Sequence, residues 1–164
     1  MEINTVGVLG AGTMGRGIAQ AVAQAGLPVI ILDLSEALVK EGVEKIEKGL
    51  SKRVEKGKLS SQEKEEILQR IKPTMNIEDL IIAELIIEAV FEDVEVKIGL
   101  LKRLDTLCPP ETIFASNTST LSITRMAAEI SRPKRCLGLH FFNPVPAMRL
   151  VEVIACLQTS QETV

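Results

Sequence analysis

One glycine-rich motif constrains the fold of this chain more than any other feature of its sequence. The motif comprises Gly10, Ala11, Gly12, Thr13, Met14 and Gly15. It lies between an apolar run, Val6–Leu9, and a helix-forming segment over residues 14–25 that ends at Gly26. A second apolar run, Val29–Leu32, completes a strand–helix–strand unit of about 30 residues, the length of one crossover. In such a unit the first glycine permits a tight turn, the second lets a pyrophosphate approach the backbone, and the third lets helix and strand pack closely.

Asp33 is the second part of this signal, because it directly follows the second predicted strand. A carboxylate about 20 residues beyond such a motif accepts hydrogen bonds from a ribose 2′-hydroxyl. The next residues, Leu34 and Ser35, provide no arginine for a 2′-phosphate, so the sequence favours NAD over NADP. A glycine turn with a purely structural role is the alternative, and Asp33 at this spacing weighs against it. We therefore predict that the motif, the N-terminus of the following helix and Asp33 bind NAD.

The rest of the chain alternates between predicted helices and short apolar strands. Residues 35–56 are predicted as a long amphipathic helix, and residues 60–71 as a second helix that opens with a capping box of Ser60 and Glu63. We interpret this helical pair, residues 35–71, as an insertion into a minimal nucleotide-binding fold. Further strands are predicted at 84–89, Ile113–Ser116, 135–142 and 149–155, and further helices at Val94–Leu107 and 122–130. The pattern predicts one Rossmann-like α/β domain over residues 1–164, with a doubly wound, mostly parallel sheet.

Composition and charge exclude several other classes of protein. The net charge of −3, with four Phe, no Trp and no Tyr, gives no electrostatic or stacking argument for nucleic-acid binding. No apolar run approaches the ~20 residues of a membrane-spanning helix, and the N-terminus lacks the basic region of a secretory signal. Cys108, Cys136 and Cys156 have no metal-binding spacing, and we interpret them as buried or half-buried free thiols. The sequence therefore predicts a cytoplasmic protein with no metal site and no nucleic-acid or membrane partner.

His140 and Glu152 are titratable residues in otherwise apolar predicted strands. A lone histidine in such a run is more often a satisfied core residue than a functional one. An unpaired buried carboxylate is strongly unfavourable, however, so two neighbouring apolar strands that each carry one such group are most simply explained if the groups face each other. A histidine–carboxylate pair is suited to removing the hydroxyl proton of an alcohol as hydride leaves for a nicotinamide. The residues alone leave both interpretations open.

Four stretches of the sequence resemble the 3-hydroxyacyl-CoA dehydrogenase family, and in particular its bacterial 3-hydroxybutyryl-CoA members. They are GVLGAGTMG at 7–15, IEAVFE at 87–92, ASNTS at 115–119 and HFFNPV at 140–145. The resemblance implies NAD-dependent oxidation of a short-chain (S)-3-hydroxyacyl-CoA, such as 3-hydroxybutyryl-CoA, to the 3-oxoacyl-CoA. One alternative is an NAD(H)-binding regulatory module without catalysis, against which the histidine–carboxylate pair argues. Another is a dehydrogenase for a different hydroxy acid, against which the HFFNPV run argues.

The resemblance also implies roles for individual residues. His140 is expected to be the catalytic base, with Glu152 as its carboxylate partner and Ser119 beside the reacting oxygen of the substrate. At the cofactor, two asparagines are expected on the nicotinamide side, and an acid and a lysine at the ribose and catalytic edge. These four residues are Asn117, Asn143, Glu92 and Lys97.

The resemblance further implies contacts with CoA and with a second domain. The helical pair at 35–71 corresponds to the family's CoA-facing projection, on which Lys52, Arg53 and Lys56 either meet CoA phosphates or form a solvated helix face. Family members continue into an all-helical domain that forms the dimer and closes over the acyl chain. We therefore expect an acyl-CoA thioester as substrate and a helical domain, in cis or in trans, as partner. Full activity and a homodimer are expected only in the presence of that domain.

Overall fold

In the computed structural model, which describes residues 2–164, the short apolar runs form the strands of one sheet. The strands are β1 (Val6–Leu9), β2 (Val29–Leu32), β3 (Ile71–Thr74), β4 (Leu85–Glu88), β5 (Ile113–Ser116), β6 (Cys136–Phe141) and β7 (Val151–Ala155). The helices are α1 (Thr13–Gln24), α2 (Glu36–Glu55), α3 (Ser61–Gln69), α4 (Val94–Leu107) and α5 (Ile123–Ala127). The strand order is β3-β2-β1-β4-β5-β6-β7, and every neighbouring pair is parallel except β6 and β7. This order confirms the predicted doubly wound fold and creates a switch point between β1 and β4, where such folds bind their ligands.

The sheet carries a hydrophobic core on each of its faces. Val8 of β1 packs in the same cluster as Ile18 of α1, whereas the next strand residue, Leu9, packs in the cluster that contains Leu101 of α4. Successive side chains of a strand point to opposite faces of the sheet, so one short strand serves both clusters. All four side chains are buried. The carboxyl end of β1 is therefore fixed from both faces.

The predicted helical pair is the connection between β2 and β3. Ser60 caps α3 as expected, because its hydroxyl accepts the N–H of Glu63 at 3.1 Å and its own N–H donates to the Glu63 carboxylate at 2.8 Å. The prediction that this helix extends to residue 71 is wrong, since α3 ends at Gln69 and Ile71 begins β3. Proline cannot donate a hydrogen bond to a neighbouring strand, so Pro73 argued against a strand at this position. β3 lies at the edge of the sheet, however, where proline is tolerated.

The helix predicted over residues 122–130 is shorter than expected. α5 spans Ile123–Ala127, with the Ser122 hydroxyl accepting the N–H of Arg125 at its start. Beyond it, the N–H groups of Glu129 and Ile130 bond to carbonyls three residues earlier, at 3.2 and 3.4 Å. The end of the predicted helix is thus a tightened, 3-10-type turn.

The cysteines and the hydropathy of the helices bear on two predictions made from composition. Cys108 and Cys136 are buried, Cys156 is partly buried and all three are free thiols, as predicted. Burial, together with the nearby Cys156, raises the pKa of the Cys136 thiol to about 12. Within residues 2–164, none of the helices is both long enough and apolar enough to cross a membrane.

Candidate active site

The glycine motif forms the turn between β1 and α1, and each of its glycines has a different environment. Gly10 has a φ of 96°, and a Cβ added there would lie 2.7 Å from the carbonyl oxygen of Ala89. A Cβ at Gly15 would lie 1.8 Å from the carbonyl oxygen of Gly10, so helix and strand can pack only around glycine. A Cβ at Gly12, by contrast, would meet nothing within 4 Å among residues 2–164. The backbone at Gly12 is therefore open to a ligand at the N-terminus of α1, where N–H donors and the helix dipole favour phosphate.

Asp33 lies at the carboxyl end of β2, beside this turn. Its carboxylate accepts the N–H of Ala11 at 2.6 Å and that of Leu34 at 2.7 Å. These two bonds fix the carboxylate at the rim of a cavity of about 470 Å³ that also includes the glycine turn. Leu34 and Phe91, which are 83% and 78% exposed, contribute apolar walls to the cavity. The residues present thus fit a dinucleotide, with an open backbone for its pyrophosphate, an acid for a ribose and apolar walls for a base.

Three charged residues of this cavity were missed by sequence analysis. Arg16 follows the third glycine, and Glu41 and Lys45 lie one turn apart on α2. The ammonium of Lys45 donates to the Glu41 carboxylate at 2.5 Å, which lowers the pKa of Glu41. Helical spacing was a usable signal, because Arg16 comes one turn after Gly12 and therefore lies on the same side of α1.

His140 and Glu152 face each other across β6 and β7. They are directly opposite in the antiparallel register, which puts their side chains on the same face of the sheet. Nδ1 of His140 lies 2.7 Å from Oε2 of Glu152, and Nε2 lies 3.0 Å from Oγ of Ser119. A carboxylate can only accept, so Nδ1 carries the proton and donates to Glu152. Nε2 then presents a lone pair, to which the Ser119 hydroxyl donates.

The expected burial of Glu152 is wrong. Every residue of β7 is exposed, and the Glu152 side chain is 50% exposed against 19% for His140. The two groups meet because of the strand register and not because a buried carboxylate requires a partner. The imidazole therefore lies where both a substrate and solvent can reach it.

A second, smaller cavity of about 160 Å³ lies next to these residues. Its lining includes Met14, Glu92, Lys97, Asn117 and Ser119. Asn117 is held in place because its Oδ1 accepts the N–H of Phe141 at 2.9 Å. This cavity connects the glycine turn, through Met14, to the hydroxyl that contacts His140.

A buried ion pair lies next to this smaller cavity, which its Lys97 member lines. Nζ of Lys97 lies 2.6 Å from Oε1 of Glu88 and 3.2 Å from Oε2 of Glu92. The side chains of Lys97 and Glu88 are 1% and 0% exposed. Burial favours the neutral form of Glu92, but hydrogen bonds from Thr118, Lys97 and Thr120 outweigh it and hold the pKa of this carboxyl below its usual range. Glu88 was not among the predicted site residues, although an acid in an otherwise apolar strand is the same kind of signal as Glu152.

Seven predicted site residues line neither of the two cavities: Gly15, His140 and Glu152, described above, and Asn143, Lys52, Arg53 and Lys56. Asn143 is exposed after β6, where the Asn143–Pro144 peptide is cis. Lys52 and Arg53 lie in the last turn of α2, and Lys56 is its C-cap residue. Cations at this end of a helix interact favourably with its dipole, which is sufficient to explain their presence. Their predicted roles stay predictions.

Comparison with known proteins identifies relatives over the whole chain. A family model described as "3-hydroxyacyl-CoA dehydrogenase, NAD binding domain" matches residues 5–164. The chain is 45% identical to the probable 3-hydroxybutyryl-CoA dehydrogenase of Bacillus subtilis, over 99% of this chain and 57% of that protein. It is 44% identical to the 3-hydroxyadipyl-CoA dehydrogenase of Escherichia coli, over 100% of this chain and 34% of that protein.

The fold gives the same result. The crystal structure of (S)-3-hydroxybutyryl-CoA dehydrogenase from Ralstonia eutropha superposes with a TM-score of 0.97 and 47% identity, over 99% of this chain and 57% of that one. The chain thus spans little more than half the length, or less, of these relatives. The match over residues 5–164, the strand order and the glycine turn agree. This chain belongs to the 3-hydroxyacyl-CoA dehydrogenase family and corresponds to the NAD-binding domain of its members.

Proposed function

We propose that this chain serves in the NAD-dependent oxidation of a short-chain (S)-3-hydroxyacyl-CoA, such as 3-hydroxybutyryl-CoA, to the 3-oxoacyl-CoA. The observation that carries the proposal is the hydrogen-bonded series Ser119–His140–Glu152, with distances of 3.0 and 2.7 Å, beside the small cavity. A dinucleotide-binding protein without catalysis has no use for a base with an oriented carboxylate.

His140 is the proposed base. Its Nε2 accepts the proton of the substrate hydroxyl as the carbon–oxygen double bond forms, and the charge that develops on the imidazole is stabilised by Glu152 at Nδ1. Ser119, 3.0 Å from Nε2, holds the reacting oxygen next to the base. NAD, when bound, would supply the acceptor for the hydride that leaves the carbon bearing the hydroxyl.

The cofactor is proposed to extend from the large cavity to the small one. Asp33 accepts hydrogen bonds from the ribose next to the adenine, and the glycine turn holds the pyrophosphate. At the other end, Glu92, Lys97 and Asn117 line the small cavity and are proposed to hold the nicotinamide and its ribose. Asn143, from the loop after β6, is proposed to approach the nicotinamide from outside this cavity.

The acyl-CoA is proposed to lie against the helical pair. Lys52, Arg53 and Lys56 bring three cations to the end of α2, where they can pair with CoA phosphates. The two curated relatives named above act, by name, on hydroxybutyryl and hydroxyadipyl thioesters at nearly equal identity, 45% and 44%. We therefore propose the thioester class, with the short chain as first choice. An all-helical domain, in cis or in trans, is proposed as the partner that completes the substrate site and forms a homodimer.

Titration with NADH and NADPH, followed by nicotinamide fluorescence, tests the cofactor part. The chain has no Trp and no Tyr, so it adds little emission of its own. We expect saturable binding of NADH and much weaker binding of NADPH. Asp33→Ala should weaken NADH binding by about 10–150-fold, the effect of losing hydrogen bonds to a charged group. The control is Glu65→Ala, which removes an exposed carboxylate of α3 outside both cavities and should change nothing. Equal affinity of wild type and Asp33→Ala would remove Asp33 from the ribose site.

The rate of substrate oxidation tests the proposed substrate class. The chain, joined to or mixed with the helical domain, should oxidise (S)-3-hydroxybutyryl-CoA and not free 3-hydroxybutyrate. Equal rates on the free acid would contradict the thioester proposal.

A further inference from the structure

Glu88 is fully buried at the carboxyl end of β4 and accepts three hydrogen bonds. The donors are Nζ of Lys97 at 2.6 Å, Oγ of Ser116 at 2.6 Å and the N–H of Val90 at 2.7 Å. They come from α4, from β5 and from the loop that follows β4. One carboxylate therefore joins three elements that meet at the edge of the sheet where the cofactor is expected.

These contacts belong to a closed ring of polar groups. Glu88 bonds to Lys97, Lys97 pairs with Glu92 at 3.2 Å, and Glu92 accepts the hydroxyl of Thr118. The N–H of Thr118 donates to Ser116 at 3.3 Å, and the Ser116 hydroxyl returns to Glu88. We call these five residues the Glu88 ring. Thr118 lies between Asn117 and Ser119, so the ring fixes the loop that carries two residues of the small cavity.

The Glu88 ring is buried in the protein on one side and faces the small cavity on the other. Glu88 and Lys97 are 0% and 1% exposed, whereas the Glu92 side chain is 45% exposed. Lys97 and Glu92 both line that cavity. Stability alone does not require such an arrangement, because well-packed apolar residues in place of a buried ion pair are often as stable or more so. What the pair adds is a fixed position for the ammonium of Lys97 and, through it, for Glu92.

We propose that Glu88 is a positioning residue for the nicotinamide end of the cofactor site. It holds Lys97, and through the ring also Glu92 and the loop over residues 117–119, in the geometry that receives the nicotinamide and its ribose. The inference rests on the proposed function, because it takes Lys97 and Glu92 as cofactor contacts. Glu88 itself lines neither cavity and acts only through its neighbours.

Glu88→Gln tests this role with two ligands. NADH binding reports on the whole cofactor site. ADP lacks the nicotinamide and its ribose, so ADP binding reports only on the part of the site that holds adenosine and the pyrophosphate. We expect the dissociation constant for NADH to rise by about tenfold or more, as when a charge-assisted hydrogen bond is lost, while that for ADP changes by less than about twofold. A merely structural role would weaken both ligands together, and unchanged NADH binding would also overturn the inference.

The double variant Glu88→Gln/Lys97→Met separates stability from positioning even if the single variant is poorly folded. It replaces the ion pair with uncharged groups of similar size, so thermal stability should return toward wild type. NADH affinity should stay at least about tenfold below wild type, with ADP affinity unchanged. Recovery of both stability and NADH affinity would show that the ion pair only stabilises the fold. Failure of the wild-type chain to bind NADH would instead contradict the proposed function, which distinguishes the two outcomes.

Discussion

Two pairs, each formed by a carboxylate and a basic side chain, lie at the same edge of the sheet and differ in their exposure to solvent. Lys97 and Glu88 are 2.6 Å apart with side chains 1% and 0% exposed. His140 and Glu152 are 2.7 Å apart with side chains 19% and 50% exposed. Their distances are practically the same, so distance cannot separate their roles.

Burial and the kind of basic side chain distinguish the two pairs. A charged lysine has three donors and no acceptor, so the buried pair can hold a position but cannot take a proton from a substrate. The imidazole of His140 keeps an acceptor at Nε2, and its partner is half exposed. The first pair is therefore suited to positioning the cofactor and the second to exchanging protons with the substrate.

The largest expected effect concerns the exposed pair. His140→Ala removes the proposed base and should lower turnover of (S)-3-hydroxybutyryl-CoA by about 10²–10⁴-fold. NADH affinity should remain within about twofold of wild type, because the imidazole is proposed to contact the substrate and not the dinucleotide. Steady-state rates of NADH formation, with the fluorescence titration as control, measure both. Turnover near that of wild type would remove His140 from the mechanism.

The next effect concerns the stability that the buried pair contributes. Lys97→Met leaves Glu88 charged and buried without its cation, which should lower the free energy of unfolding by about 3–5 kcal/mol. The matched control is Lys102→Met on the same helix, which breaks a Lys102–Glu129 pair of 2.6 Å whose side chains are 51% and 47% exposed. That change should lower the free energy of unfolding by less than about 1 kcal/mol. Urea denaturation of both variants would contradict the comparison if they lost equal stability.

The smallest effect should come from removing the charge of Glu152. Glu152→Gln should change the free energy of unfolding by less than about 1 kcal/mol, because solvent screens a pair that is half exposed. Turnover should nevertheless fall by at least about tenfold, since the amide no longer fixes the proton on Nδ1. Denaturation and rate measurements on one preparation give both values. A large loss of stability with normal turnover would reverse the roles assigned to the two pairs.

Much of the fold was predictable because its signals are local. The glycine turn, Asp33 and the alternation of short apolar runs with helices need only neighbouring residues to be recognised. β3 was missed because Pro73 is compatible with a strand only at a sheet edge, and edge position is not visible in the sequence. The exposure of β7 was missed for a related reason, since an apolar run does not reveal whether anything covers it.

The candidate site, like the fold, combines residues with local sequence signals and contacts that depend on tertiary structure. His140 and Glu152 stood out as polar residues in apolar runs, but their contact depends on the register of two strands, which is a tertiary property. The Glu88 ring joins residues up to 30 positions apart, from β4, α4, β5 and the loops after β4 and β5, so no local pattern indicates it. Arg16 had a local signal in its helical spacing from Gly12, whereas Glu41 and Lys45 line the cavity because of the packing of α2 against α1, which is a tertiary property.

The most direct test of the division between the two pairs is one NADH titration of wild type, His140→Ala and Glu88→Gln under identical conditions. We expect His140→Ala to bind NADH within about twofold of wild type and Glu88→Gln to bind it at least about tenfold more weakly. If His140→Ala lost as much affinity as Glu88→Gln, or if Glu88→Gln bound NADH like wild type, the assignment of one pair to chemistry and the other to the cofactor would be wrong.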